Sequence, residues 1–130
     1  MSTILLVDSD PLQAFLCKSI LERRFNDVQR VGDAAEALCL VEQPQFAGSL
    51  GLVISDQHMT GIGNPAFVAE LHERLPKVPV LVLGRVSDRA GDAAADDGAR
   101  WLRFLSRPFA SEQILAAAGE LLAQNAWEPA

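Results

Sequence analysis

The chain has 130 residues, 49% of them hydrophobic, and a formal net charge of −6. That length fits one domain whose core needs neither a disulfide nor a metal in order to fold. The acidic charge argues against nonspecific binding to nucleic acid or to anionic membranes as the main activity.

No apolar run approaches the roughly 18 residues of a membrane helix, and the first residues do not resemble a signal peptide. The sequence contains only two cysteines, Cys17 and Cys39, which are too few to indicate a disulfide framework. We therefore expect a cytoplasmic protein in which both thiols are reduced and mostly buried.

Short apolar runs alternate with amphipathic stretches along the whole chain. The predicted strands lie, in chain order, at 3–7, 28–31, 52–56, 78–83 and 101–105. One predicted helix follows each strand, at 11–25, 33–42, 67–75, 87–97 and 111–122, and the helix at 87–97 is weak. Asp10 and Pro11 are typical of a helix start, as the cap and the first helical residue. Pro44, Gly48 and Gly51 indicate a break between elements.

Three of the predicted strands are apolar throughout instead of alternating, which is typical of strands that are covered on both faces. These are the runs at 3–7, 52–55 and 78–83. Strands that alternate with helices predict an α/β fold, with helices on each side of a parallel sheet. In such sheets, ligands bind at the carboxyl ends of the strands.

Charged side chains follow several of the predicted strand ends. Asp8 and Asp10 follow the first strand, Asp56 ends the third, and Arg107 follows the fifth. Because the carboxyl ends of parallel strands meet at one edge of the sheet, we expect these side chains to lie close together. Carboxylate oxygens are the ligands that Mg²⁺ prefers, and a cation beside Asp56 would help that carboxylate to attack a phosphoryl group.

Four segments, in the right order, resemble the receiver domain of two-component response regulators. They are the first strand and acidic cluster at 4–11, the phosphoacceptor strand and loop at 52–61, the fourth strand at 78–83, and the Lys-Pro-Phe segment at 104–109. The resemblance covers essentially the whole chain. It implies a flavodoxin-like (βα)5 three-layer sandwich with a parallel five-stranded sheet in the order 2-1-3-4-5.

The same resemblance assigns roles to individual residues. Asp56 matches the phosphoacceptor, and Asp8 matches the first acid of the family's metal-binding pair. His58 matches the residue whose backbone carbonyl is a metal ligand. The resemblance therefore implies that Mg²⁺ is the cofactor and that these three residues hold it.

Three of the family's five usual site residues depart from its pattern. The second acid is Ser9, whose neutral hydroxyl is a poorer Mg²⁺ ligand, and the neighbouring Asp10 could contribute although it is also the expected helix cap. The switch Ser/Thr is Gly84, which has no hydroxyl to donate to an aspartyl phosphate. The Lys is Arg107, which keeps the positive charge in a forked group and could instead hold Asp56 in a standing ion pair. We therefore expect weakened magnesium-dependent chemistry.

Two functions stay open on the sequence. The first is a phosphoacceptor in phosphorelay signal transduction, with self-catalysed phosphotransfer and dephosphorylation but no separate enzymatic activity, whose partner is a histidine kinase or a phosphotransfer protein. The second is a pseudo-receiver that acts as a phosphorylation-independent protein–protein interaction module.

The resemblance also implies pairing as a homodimer through the fourth helix, fifth strand and fifth helix. From the acidic charge and the lack of a long apolar run we expect no direct binding to nucleic acid and no membrane contact. We expect residues 1–124 to form the receiver domain and residues 125–130 to form a C-terminal tail or the start of a linker.

Overall fold

The computed structural model describes residues 2–57, 64–84 and 102–126. Its strands are β1 (Thr3–Val7), β2 (Val28–Val31), β3 (Leu50–Asp56), β4 (Val80–Gly84) and β5 (Leu102–Ser106). Its helices are α1 (Pro11–Leu21), α2 (Ala34–Val41), α3 (Pro44–Ser49), α4 (Asn64–Arg74) and α5 (Ser111–Ala126).

The five strands form one parallel sheet in the order β2-β1-β3-β4-β5. The flavodoxin-like strand order implied by the resemblance is therefore confirmed. None of the helices in these three described ranges is long and apolar enough to cross a membrane.

Hydrophobic packing on both faces of the sheet explains why the strands are continuously apolar. Successive strand side chains point to opposite faces, so Ile4 and Leu6 join one core with residues of α1 and α5. Leu5 and Val7 join a second core with residues of α2 and α4. These four side chains are fully buried, and two helical layers enclose the sheet.

Several predicted bounds differ from the structure by a few residues, and the largest difference lies between α2 and β3. The segment predicted as a break contains the short helix α3, which begins with Pro44 at a position where a helix needs no backbone N–H. Gly51 lies within β3, which begins two residues earlier than predicted. The predicted weak helix at 87–97 lies outside the described residues, and so does much of the surface implied for self-association.

The thiols were expected to be mostly buried, and this is correct for only one of them. Cys17 is buried on the face of α1 that packs against the sheet. Cys39 is exposed on α2, and both cysteines are free.

Candidate functional site

The carboxyl ends of β1, β3, β4 and β5 meet at one edge of the sheet and bring the predicted site together. Val7 of β1 pairs with Ser55 of β3, so Asp8 and Asp56 follow these two residues on adjacent strands. Gly84 at the end of β4 pairs with Ser106, which directly precedes Arg107.

Asp8 is only 1% exposed, and hydrogen-bond donors surround its oxygen atoms. One carboxylate oxygen, Oδ1, accepts a hydrogen bond of 3.0 Å from the backbone N–H of Asp10. The other, Oδ2, accepts one of 2.9 Å from the side-chain amide of Gln13. The Arg30 guanidinium donates twice to the Asp8 carbonyl oxygen, from Nε at 3.1 Å and from Nη2 at 2.7 Å. Each oxygen of this buried acid therefore has a donor, as burial of a charged group requires.

Asp56 is partly accessible, with 13% of its side chain exposed. The Gln13 amide nitrogen that donates to Asp8 also lies 3.4 Å from Asp56 Oδ2. On the other side, Arg107 Nη2 is 3.9 Å from Asp56 Oδ1. The carboxylate therefore lies between a neutral amide donor and a cation, and only a small part of it is accessible to solvent.

Arg107 is positioned by its backbone and by an aromatic ring. Its N–H donates to the Gly84 carbonyl oxygen at 2.6 Å, and its guanidinium carbon lies 5.4 Å from the centre of the Phe109 ring. The peptide bond to Pro108 is cis. Nη2 is buried, and among the described residues it has no hydrogen-bond partner. The contact with Asp56 is longer than a charge-assisted hydrogen bond, so it is a weak form of the standing ion pair considered from the sequence.

The side chain of Gln57 packs closely against Gly84. A Cβ built on Gly84 would overlap the Gln57 amide oxygen and would lie 2.9 Å from the Gln57 Cβ. The two backbones are also fixed relative to each other, because the Gln57 N–H donates to the Leu83 carbonyl oxygen at 2.8 Å. The glutamine side chain thus occupies the space beside the position where the family carries a hydroxyl.

The remaining predicted site residues have other surroundings. Asp10 caps α1, because its carboxylate accepts from the N–H groups of Leu12 and Gln13, as the sequence predicts. Ser9 lies in the bend between β1 and α1. His58 lies outside the described residues.

The donor set can be compared with the needs of a divalent cation. Within the described ranges, no group of three or more His, Cys, Asp or Glu side chains could hold a metal ion. Two carboxylate oxygens, Oδ2 of Asp8 and Oδ2 of Asp56, nevertheless face the same amide nitrogen. Mg²⁺ often binds through one or two carboxylates and keeps several waters, so this pair fits it.

Burial also affects the chemistry of Cys17, which lies one helical turn beyond Gln13 on α1. Burial raises the pKa of the Cys17 thiol to about 11. The positive charge of Arg107 lowers this pKa and the negative charge of Asp8 raises it, and both effects are smaller. The thiol therefore stays protonated at neutral pH.

The sequence matches the family model described as "Response regulator receiver domain" over residues 4–119. The chain belongs to the response regulator receiver domain family. Comparison with curated proteins finds no match. Receiver domains are parts of two-component signal transduction systems, and they are generally not classical enzymes.

Solved structures of receiver domains are similar over nearly the whole chain. One is the signal receiver domain of an HD domain-containing protein from Pseudomonas fluorescens Pf-5, with 26% identity, a TM-score of 0.83, and coverage of 96% of this chain and 89% of that one. A response regulator receiver domain protein from Clostridium thermocellum has 20% identity and a TM-score of 0.83, and the match covers 97% of this chain and 98% of that one. The receiver domain of a signal transduction histidine kinase from Syntrophus aciditrophicus has 24% identity and a TM-score of 0.83, covering 100% and 96%.

Three residues of the site were not found from the sequence: Gln13, Arg30 and Gln57. Gln13 and Arg30 contact Asp8 from α1 and β2. Neither residue stands in a sequence motif that would indicate a contact with Asp8, because both contacts depend on how α1 and β2 pack beside β1. Gln57 adjoins Asp56 in sequence, but its packing against Gly84 is visible only in three dimensions.

Proposed function

We propose that this receiver domain accepts a phosphoryl group on Asp56 from a phosphohistidine protein, with weakened magnesium-dependent chemistry. The observation that carries the proposal is the position of Asp56 at the end of β3. Its partly exposed carboxylate lies beside the buried Asp8 and within ion-pair distance of Arg107. Separate elements bring all three charged groups to one edge of the sheet.

The proposed reaction is a transfer between two nucleophiles. An Asp56 carboxylate oxygen attacks the phosphorus of the donor's phosphohistidine, and a P–O bond forms while the P–N bond breaks. The electron pair of that bond stays on the imidazole nitrogen, which becomes protonated. In self-catalysed dephosphorylation, water attacks the phosphorus, and inorganic phosphate leaves as the Asp56 carboxylate re-forms.

Arg107 is the residue that we assign to the phosphoryl oxygens. Its backbone is held by the hydrogen bond to Gly84, its guanidinium lies over the Phe109 ring, and one buried nitrogen faces Asp56 without a hydrogen bond among the described residues. A fixed cation at the place where negative charge accumulates stabilises that charge without reorganisation. The planar fork of arginine suits phosphate oxygens.

A divalent cation would be held by Asp8 and Asp56, with the backbone carbonyl of His58 as a further expected ligand. Bound there, the cation would neutralise charge on the phosphoryl oxygens. Ser9 supplies a neutral hydroxyl where the family has a second acid, so this chain offers one charge fewer. This difference is our reason for proposing weakened magnesium-dependent chemistry.

The donor must dock close to Asp56, and α1 offers a surface for it. Leu12, Phe15 and Leu16 are 67%, 65% and 54% exposed, and their spacing places them on one side of the helix. The helix begins directly after the acidic segment that contains Asp8. We propose that an apolar helical surface of a histidine kinase or phosphotransfer protein covers these three side chains.

We place this reaction in the cytoplasm, where thiols stay reduced, and the free Cys17 and Cys39 support that location. We also propose residues 1–124 as the receiver domain, with 125–130 as a tail or the start of a linker.

The decisive experiment measures intact mass after incubation with a small-molecule phosphodonor, with and without Mg²⁺. We expect a gain of one phosphoryl group in the wild type and none in Asp56→Asn. Asp33→Asn is the matched control, because Asp33 caps α2 and asparagine caps a helix equally well. No gain in the wild type from this donor or from a phosphorylated phosphotransfer protein would refute the proposal.

The surroundings of Gly84 favour a second candidate, the phosphorylation-independent interaction module. The position has no hydroxyl, and the side chain of Gln57 fills the space beside it. A switch that depends on a hydroxyl–phosphate bond cannot operate there. If this second candidate is correct, a protein captured by the wild type binds Asp56→Asn with the same affinity.

A further inference from the structure

We propose that Gln13 takes the place of a divalent cation between Asp8 and Asp56, so that a cation must displace the Gln13 amide in order to bind. The inference rests on the proposed use of these two acids as metal ligands. It assigns a regulatory role to a side chain of α1.

The geometry shows one donor that serves two acids. Gln13 Nε2 donates to Asp8 Oδ2 at 2.9 Å and lies 3.4 Å from Asp56 Oδ2. The other oxygen of Asp8 is already occupied by the backbone N–H of Asp10. The amide therefore holds the Asp8 oxygen that a cation shared with Asp56 would need.

The chemistry of the groups determines which end of the amide faces the acids. Ionised carboxylates only accept hydrogen bonds, so the NH₂ end of Gln13 points at them and its carbonyl oxygen points away. The NH₂ group carries partial positive charge, and it reduces the repulsion between two neighbouring carboxylates. It does so without supplying a ligand to a cation.

The amide and the cation therefore compete for the same oxygen atoms. The two contacts that the Gln13 side-chain amide makes with Asp8 and Asp56 must break before a metal can take its place between these carboxylates. An amide that stabilises only the metal-free protein lowers the apparent affinity for the cation. The factor is set by the equilibrium constant for displacing the amide from the carboxylates. This effect weakens magnesium binding in addition to the loss of charge at Ser9.

The test compares Mg²⁺ affinity by titration calorimetry in the absence of any phosphodonor. Gln13→Ala removes the amide, and Gln13→Leu removes it while keeping most of the side-chain volume, so the second variant is informative if the first is unstable. Gln45→Ala is the matched control, because Gln45 is also a glutamine on a helix and is exposed. Its helix, α3, leads into the start of β3, whereas Asp56 lies at the other end of that strand.

We expect both Gln13 variants to bind Mg²⁺ about tenfold more tightly than the wild type, which corresponds to the loss of one hydrogen bond to a charged acceptor. Gln45→Ala should bind like the wild type. Thermal unfolding gives a second readout. With EDTA, the Gln13 variants should melt at a lower temperature than the wild type, and saturating Mg²⁺ should reduce or remove this difference.

Unchanged or weaker binding in the Gln13 variants would overturn the inference, while phosphorylation of Asp56 would remain a separate result. Weaker binding would mean that Gln13 contributes a ligand instead of competing with the metal. Failure of all four proteins to bind Mg²⁺ would overturn the inference together with the proposed magnesium dependence.

Discussion

Arg107 and Asp56 face each other across the end of the sheet without closing a hydrogen bond. The guanidinium nitrogen Nη2 lies 3.9 Å from Asp56 Oδ1, whereas a charge-assisted hydrogen bond is about 1 Å shorter. The guanidinium is 25% exposed and the carboxylate 13% exposed, so solvent screens the pair only in part. Arg107 therefore keeps a donor directed at the carboxylate that we propose as the phosphoacceptor.

Replacing Arg107 separates its roles in stability and in chemistry. We expect Arg107→Gln to slow the gain of a phosphoryl group by at least about tenfold, because the fixed cation is lost. Its free energy of unfolding should change by no more than about 1 kcal/mol, as is usual for a partly screened pair at this distance. Time-resolved intact mass and urea unfolding measure the two effects.

Arg107→Lys is the charge-preserving control, and its rate should fall between those of the wild type and Arg107→Gln. If all three proteins gain the phosphoryl group at the same rate, Arg107 has no part in the reaction.

Gly84 and Gln57 should depend on each other for stability. Gly84→Ala places a Cβ where the Gln57 amide lies, so we expect it to lower the free energy of unfolding by about 1–3 kcal/mol. Gln57→Ala removes the obstructing amide but keeps the Gln57 Cβ, so it should relieve only part of the cost of the methyl group introduced by Gly84→Ala. A double-mutant cycle by urea unfolding measures the coupling. Additive effects would show that the two side chains do not share this space.

The sequence predicts the architecture well because the signals are local. Apolar runs, the Asp10 cap and the alternation of elements depend on neighbours in the chain, and the structure agrees with them. The missed helix α3 shows the limit of this approach. Pro44 indicates a break on the sequence alone, although proline at the first position of a helix is compatible with that helix.

The gathering of charged residues at the candidate site was predictable where those residues lie at or just after the ends of predicted strands. Asp8, Asp56 and Arg107 follow strand ends, and the parallel sheet brings them together. The contacts of Gln13 depend on how α1 packs against the sheet, and no spacing rule indicates them. The close contact of Gln57 with Gly84 depends in the same way on the pairing of β3 with β4.

Gly51 should be intolerant of any side chain. A Cβ there would lie 2.7 Å from the Ser2 Cβ and 2.8 Å from the Leu122 Cδ2, so Gly51→Ala should lower the free energy of unfolding by about 1–3 kcal/mol. Gly119→Ala is the control within α5, where nothing lies within 4 Å of an added Cβ. It should raise stability by about 0.5–1 kcal/mol, because alanine favours a helix over glycine. Equal effects of the two substitutions in urea unfolding would contradict this prediction.

Phe15 should contribute to phosphotransfer from a protein donor but not to the chemistry at Asp56. It is 65% exposed on α1, so Phe15→Ala should leave stability within about 0.5 kcal/mol of the wild type. We expect transfer from a phosphorylated histidine protein to slow by about tenfold through the loss of an apolar contact. The rate with a small-molecule phosphodonor should not change. Equal slowing with both donors would place the effect at the site and not at the docking surface.

Cys17 should make the protein less stable at alkaline pH. Burial raises the pKa of its thiol from 9.0 to about 11, so folding favours the protonated form. This contribution to stability is fully present below pH 9 and is lost as the pH rises towards 11. We expect about 1 kcal/mol of the free energy of unfolding to disappear between pH 8 and pH 10 through this group. Urea unfolding at the two pH values measures the change, which should be smaller by that amount in Cys17→Ala. Cys39→Ala is the control, because Cys39 is exposed, and it should lose as much stability as the wild type. An equal loss in Cys17→Ala would show that other groups cause the pH dependence.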